Sequence, residues 1–460
     1  MLKLSQGATQ VSGVRRAVAS PLVRAEHAVK KPVRWVTNHG IARVMITRSA
    51  KRGELQGRLI GETRGGDHRA VLELFDEVRS HGTTYQGTFS LVTVDHAMVK
   101  AVLNSPDFLT GMPSAATGWL MRAAQWAQVD LLNPVAPPSL LVTDGEDHTR
   151  YRKLVTRVFS AKAVAALRTR TEEIATALLD DLAAHADGSV GPVDLVERYC
   201  ALLPVTVISE ILGVPESERE RVLEFGAAAA PSLDLGLTWS QFREVEEALE
   251  AFDTWLGGHL ESLRRNPGDD LLSKLVAARE EGVGLSELEL KSIAGLVLAA
   301  GFETTVNLLS NGIALLCEHP DQLALLRERP ELWPNAVDEV LRHDPPVLLT
   351  GRFCARDTDV AGTTVKRGTL VTTVLAGANR DPEVFPDPDR FDVARENAHE
   401  HVSFSSGRHY CLGASLARME GEVGMRALLD RFPDLRLLPG AERRSTRILR
   451  GWENLPATLR

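Results

Sequence analysis

The stretch Leu285–Cys317 constrains this chain more than any other. It is helix-compatible almost throughout, and its middle, Ile293 to Phe302, is apolar on every side. A helix with no polar face has to be enclosed, by other protein or by lipid. The apolar run is about half of the roughly 20 residues that cross a bilayer. The expectation is therefore a long helix through a protein core and no transmembrane segment.

A chain of 460 residues, 44% of them hydrophobic, can bury such a core without disulfide staples. Its four cysteines, Cys200, Cys317, Cys354 and Cys411, are widely spread and form no CxxC pair. That excludes a secreted disulfide scaffold and a Cys-rich zinc module, and fits a reducing cytoplasm. Length alone allows about three domains. No Pro/Gly/Ser linker divides residues 65–460, so one body is expected there. Residues 1–64 differ in charge. They hold 13 Lys/Arg against 3 Asp/Glu, a net of +10, while the remainder nets −18 and the chain −8. Residues 1–64 read as a basic, partly disordered extension without the apolar core of a secretory signal. Such an arm suits an anionic surface or is a solvated tail. Nothing else suggests nucleic acid.

The remaining pattern is mostly helical. Ser90–Val94 alternates like a strand, and Asp95 offers an N-cap to a helix through Ala97–Leu103. Val164 to Leu182 carries apolar residues at spacings of three and four. Helices are expected over Pro204–Leu212, stopped by Gly213 and Pro215, over Ser240–Leu263 and over Trp333–His343. Val360–Val374 reads as a small sheet broken by Gly362 and Gly368, and a last helix follows Cys411. The fold class is mainly α with a small β part.

The most informative segment is Phe404-Ser405-Ser406-Gly407-Arg408-His409-Tyr410-Cys411-Leu412-Gly413-Ala414. It is a polar, glycine-bearing loop that leads into an apolar helix. Unpaired N–H groups at a helix start favour the thiolate. Gly407 and Gly413 let backbone approach something flat and bulky, and Phe404 can shield the sulfur. A lone thiolate of this kind suits one axial bond to haem iron. Taken singly, Cys411 reads equally as a buried structural cysteine or, with His409 as an awkward base, as a nucleophile.

The eleven-residue pattern as a whole resembles the haem-binding loop of cytochromes P450, with Ser405 standing where many members have Gly. The resemblance implies haem b, with Cys411 as the thiolate ligand of the iron and His409 donating to a propionate. It implies the P450 fold, a triangular helical body with a long central helix and minor β-sheets. Phe404 and Gly413 belong to the same cofactor loop. Glu339 and Arg342, at i and i+3, are alone an ordinary helix ion pair. They resemble the family's ExxR pair, completed by Arg390 in Pro388-Asp389-Arg390-Phe391 as a structural cluster. Ala300-Gly301-Phe302-Glu303-Thr304-Thr305 lies in the apolar helix, where Thr304 can simply bond back to the Ala300 carbonyl. It resembles the oxygen-activating acid–alcohol pair. This makes Thr304 and Glu303 catalytic, puts Ala300 against the cofactor, and has Gly301 loosening the helix. His148 and Arg152, one helical turn apart, and Arg352 resemble propionate-binding residues.

The resemblance runs from about Arg69 to the C-terminus. Val297–Asn307, Gly362–Gly368 and Arg450-Gly451-Trp452 are similar to the mycobacterial P450 family numbered one hundred and forty. On that comparison similarity begins near Arg34, and the preceding residues look like an added or mis-started tail. The function implied is monooxygenation of a hydrophobic substrate of lipid, polyketide, terpenoid or steroid type. Leu296, Ala300, Val347, Leu348 and Leu349 would line the pocket, with the long segment Phe108–Leu141 above it. No flavin or nicotinamide module fits in the chain, so electrons are expected from a ferredoxin and its NAD(P)H-dependent ferredoxin reductase, docked near Arg408, Arg150 and Lys153. A bacterial cytoplasmic monomer is expected. The rival readings are an H2O2-driven peroxygenase and a non-catalytic haem-thiolate sensor or carrier. Neither needs the Glu303–Thr304 pair.

Overall fold

The computed structural model describes residues 29–62, 68–111, 118–129, 131–156, 159–188, 191–280 and 285–459. The central helix spans Glu287–Glu318. A capping box starts it: the Glu289 N–H donates to Ser286 Oγ at 3.2 Å, and the Ser286 N–H donates to Glu289 Oε2 at 2.6 Å. Its length and apolarity would suffice to cross a membrane, but 72% of its most apolar window is buried inside the protein. The enclosing helices include Leu202–Leu212, Arg219–Ala229, Trp239–Arg265, Trp333–His343 and Ala414–Arg431. Their apolar faces and the central helix form one continuous core. The helix expected from Val164 to Leu182 spans Ala161–Gly188, and Gly213 ends Leu202–Leu212 in the left-handed conformation.

The β part is small. One five-stranded sheet has the order Tyr85–Gln86, Leu91–Thr93, Leu370–Thr373, Thr350–Cys354, Phe108–Leu109. Leu91–Thr93 pairs parallel with Leu370–Thr373, which pairs antiparallel with Thr350–Cys354. That register sets Arg352 opposite Val371, on a strand buried against the body. Asp95 caps the following helix, His96–Asn104, by accepting from the Met98 N–H at 2.7 Å.

The first 28 residues of the expected extension, and its boundary after residue 64, lie outside the described residues. Residues 29–62 differ from a detached arm. They are helical and packed on the body. Arg34 and Glu246 form a buried ion pair, and Trp35 Nε1 donates to the Leu237 carbonyl at 3.0 Å. Leu55 and Leu59 join a second core cluster with Leu74, Phe75 and Val374. The basic charge of this region hides its apolar inward stripe.

One buried ion cluster ties the Trp333–His343 helix to the loop that follows the sheet. Arg342 Nε and Nη2 donate to the two oxygens of Glu339 at 2.7 and 2.8 Å, and both side chains are fully enclosed. The third member corrects the sequence expectation. Arg390 points outward, pairing loosely with Asp392 at 3.6 Å. Arg395 fills the place instead, with its Nε 3.3 Å from Glu339. Burial of Phe391 turns its neighbour Arg390 to solvent, so that residue contributes only its carbonyl, to Arg342 at 3.1 Å and to Arg395 at 2.9 Å. Removing one partner of a buried pair leaves an uncompensated charge and costs about 3 kcal/mol or more. Arg395→Ala is expected to lower the thermal midpoint by that measure, while Arg390→Ala stays within about 0.5 kcal/mol of the parent. Equal losses in thermal unfolding would return the role to Arg390.

Candidate active site

The cysteine loop is fixed by its own backbone. The Cys411 N–H donates to the Phe404 carbonyl at 2.8 Å, and Ser405 N–H to Val402 at 2.8 Å. The helix that follows starts at Ala414. Phe404 is buried under the Arg418 guanidinium, which stands 4.7 Å from the ring centre and is held by Asp338 at 2.6 Å. Protein does not cover the Cys411 side chain. Its thiol is nevertheless deep in the fold, and burial pushes its pKa up. The Gly413 N–H and the Arg152 and Arg418 charges pull the other way. Burial thus outweighs the helix-start effect anticipated from sequence.

Two loop residues adopt the left-handed backbone. Gly407 has φ of +68°, and a Cβ there would stand 2.6 Å from the Leu103 carbonyl oxygen. Ser405 has φ of +62°, and its hydroxyl is buried with no partner. The position where the family often carries glycine is therefore one that strains a side chain. Ser405→Gly is expected to stabilise the protein by about 0.5–1 kcal/mol. A lower thermal midpoint would contradict that reading of the loop.

Basic side chains from three elements converge here. His148 and Arg152 project from the helix Gly145–Thr156, and Arg352 from its strand. His409 and Arg408 come from the loop itself. The rings of His148 and His409 lie 4.3 Å apart. Arg152 donates to the Tyr410 carbonyl at 2.6 Å, and Arg352 to Thr350 Oγ1 and the Gly351 carbonyl at 3.0 and 2.8 Å. His409 meets Asp144 Oδ1 at 3.1 Å, a partner that the sequence did not suggest. Asp144 also accepts from the Thr110 N–H and hydroxyl and from the Gly111 N–H. Burial opposes its ionisation, but His409 and these donors hold its carboxyl far below the usual range. Burial lowers His148 to about 4, helped by the charges of His409 and Arg152, and lowers Arg352 to about 10. The buried His148 Nε2 has no partner among the described residues.

The central helix is not enclosed all round, as its sequence suggested. Ala300 is exposed and Leu296, Ala299, Gly301 and Thr304 are half-buried, whereas residues 305–316 are fully covered. The Thr304 hydroxyl donates to the Ala300 carbonyl at 3.1 Å. Glu303 is buried and pairs with Arg444, a contact across the fold that no local spacing announces. Gly301 has a packing role. A Cβ there would stand 2.7 Å from Ile208 Cγ1, so glycine lets the Leu202–Leu212 helix approach.

Further along the same helix lies an apolar cavity. Leu296, Ala299 and Phe302 face Leu132, Phe225 and Phe252 across it. Leu296 lines this cavity, whereas Leu348 does not. It is buried in the second core cluster, because residues 347–349 alternate like a strand and turn it away from its half-buried neighbours Val347 and Leu349. Part of the expected overlying segment, residues 112–117 and 130, lies outside the described residues.

These features suit a flat, dianionic macrocycle with a central metal. Cys411 offers an uncovered thiol, and Gly413 has open space where a Cβ would stand. The His148 nitrogen offers a neutral donor with no partner among the described residues, and Arg152, Arg352 and Arg408 offer cationic groups in excess of the one carboxylate. Fold and site together define a helical haem-thiolate class of protein. Comparison with known proteins agrees. The family model described as Cytochrome P450 matches residues 130–447. A Mycobacterium tuberculosis protein named as cytochrome P450 140 is 51% identical over 439 residues, covering 94% of this chain and 98% of that one. The 6-deoxyerythronolide B hydroxylase of Saccharopolyspora erythraea is 42% identical over 69% of this chain and 77% of its own. The solved structure of P450BioI with an acyl carrier protein ligated to hexadec-9Z-enoic acid superposes with a TM-score of 0.75. It is 30% identical and covers 85% of this chain and 99% of that one. The chain belongs to the cytochrome P450 family and is a haem-thiolate monooxygenase.

Proposed function

We propose that Cys411 is the haem ligand and that the protein hydroxylates a hydrophobic substrate of lipid, polyketide, terpenoid or steroid type. The observation that carries this is the pairing of an uncovered Cys411 with a central helix whose middle is exposed at Ala300 and half-buried at Thr304. Bound haem supplies reductive activation of O2, so that R–H, O2, two electrons and two protons give R–OH and water. His148, His409, Arg152, Arg352 and Arg408 hold the anionic edge of the group. Phe404 and the Arg418 stacked on it keep water from the sulfur. With the group in place, Thr304 would turn its hydroxyl from the Ala300 carbonyl into the open space beside it and hold a proton there. Glu303, held by Arg444, is the nearby acid that resupplies it. The apolar cavity lined by Leu296, Phe225 and Phe302 favours a substrate with little charge. The acyl chain and the 6-deoxyerythronolide B named for the relatives are of that kind.

Electrons come from a ferredoxin and its NAD(P)H-dependent reductase. Arg150 is tied to Glu289 at 2.6 Å and Arg408 is given to the cofactor edge, which leaves the exposed Lys153 as the better candidate for docking. A substrate screen that follows the iron spin state across lipids, steroids and macrolides identifies the ligand class. With a hit in hand, Thr304→Ala is expected to keep NADPH consumption but lower product by about 100-fold. Unchanged product in Thr304→Ala, or no product from any compound that shifts the spin state, would favour the sensor or carrier.

A further inference from the structure

Twelve large apolar side chains are exposed among the described residues, and nine of them gather at one corner. Five, Val29, Val36, Ile41, Val44 and Met45, lie along helical residues 29–51. The steps from Val29 through Pro32, Val36 and Ile41 to Val44 are three or four residues, except one of five. That longer step falls on the wide turn Val36–Gly40, so the residues stay on one face. The opposite face carries the buried Arg34, Ile46 and Ser49. A surface helix ordinarily turns its polar side outward. This one shows solvent an apolar stripe.

The stripe has apolar flanks and a basic end. Trp126 lies under Lys30, whose ammonium is 5.8 Å from the ring centre, and Trp119 stands at the far end of the same short helix. Leu235 and Trp239 bracket the loop to which Trp35 and Arg43 hydrogen-bond. Arg48, Lys51 and Arg52 continue the helix, exposed and without an ion pair among the described residues. Residues 29–62 hold 8 Lys/Arg against 2 Asp/Glu, in a chain whose remainder is acidic.

We propose that this corner docks on an anionic phospholipid surface, with the valine stripe and tryptophans among the acyl chains and Arg48, Lys51 and Arg52 at the headgroups. Tryptophan beside apolar residues, rimmed by Arg and Lys, is the side-chain set of an interfacial helix. A second copy would bring two net-basic faces together. An acidic protein would satisfy the charges but has less use for the apolar stripe. The docked face adjoins the segment whose Leu132 and Pro134 line the apolar cavity, so that cavity would open toward the bilayer. This last step rests on the hydrophobic-substrate reading, whereas the docking does not.

The test is co-sedimentation of the full-length, haem-loaded protein with phosphatidylglycerol-containing and pure phosphatidylcholine vesicles. Binding is expected to the anionic vesicles, to weaken there with salt, and to be about tenfold or more weaker on the neutral ones. Val44→Asp/Met45→Asp and Lys51→Glu/Arg52→Glu should each lose about tenfold, with the CO-bound spectrum unchanged as a check on folding. The spin-state response to a soluble substrate in detergent-free buffer should also be unchanged, which separates this result from the substrate reading. No binding, equal binding to both vesicles, or full binding by the apolar variant would overturn the proposal. So would a dimer that the same variant breaks, or capture of an acidic acyl carrier protein, without vesicle binding.

Discussion

Enclosure of the Glu287–Glu318 helix is the constraint on which the rest depends. A helix apolar on every side is stable only when other helices wrap it, and helices from both halves of the chain do so here. That wrapping carries the Ala414–Arg431 helix, and with it the cysteine loop, to a fixed depth in the body. It also makes the break in cover at mid-helix, around Ala300 and Thr304, conspicuous. Packing is tight elsewhere, as Gly301 against Ile208 illustrates, so the opening is local.

Two buried electrostatic arrangements frame the site, and they differ in kind. Glu339, Arg342 and Arg395 satisfy one another and a ring of carbonyls, so that cluster is closed and structural. The group around His148, Arg152, Arg352, Arg408 and Asp144 is not closed. It holds more cationic groups than carboxylates and one buried nitrogen with no partner. An excess of that sort is costly in low dielectric unless an anion completes it. The contrast distinguishes a site from a strut.

Much of this was legible in the sequence, wherever the signal is local. The central helix, the Glu339–Arg342 pair, the Asp95 cap and the cysteine loop each lie within a few turns of chain. Even the Ser405 departure pointed at a backbone that prefers glycine. What was not legible depends on distant chain. Asp144 meets His409 across 265 positions, and Arg444 reaches Glu303 from the C-terminal region. Arg395 displaced Arg390 because burial of Phe391 rotates the segment, which spacing alone does not encode. Leu348 was misplaced by reading a strand-like alternation as a uniform lining. The helical packing of residues 29–62 was masked by their charge, although their apolar residues recur at helical spacing.

The central claim is that Cys411 is the thiolate that binds haem. It is tested most directly by the absorption spectrum of the reduced, CO-bound protein. The parent should show the red-shifted Soret band of a thiolate haem, and Cys411→Ala should lose it. Retention of that band after the substitution would contradict the assignment.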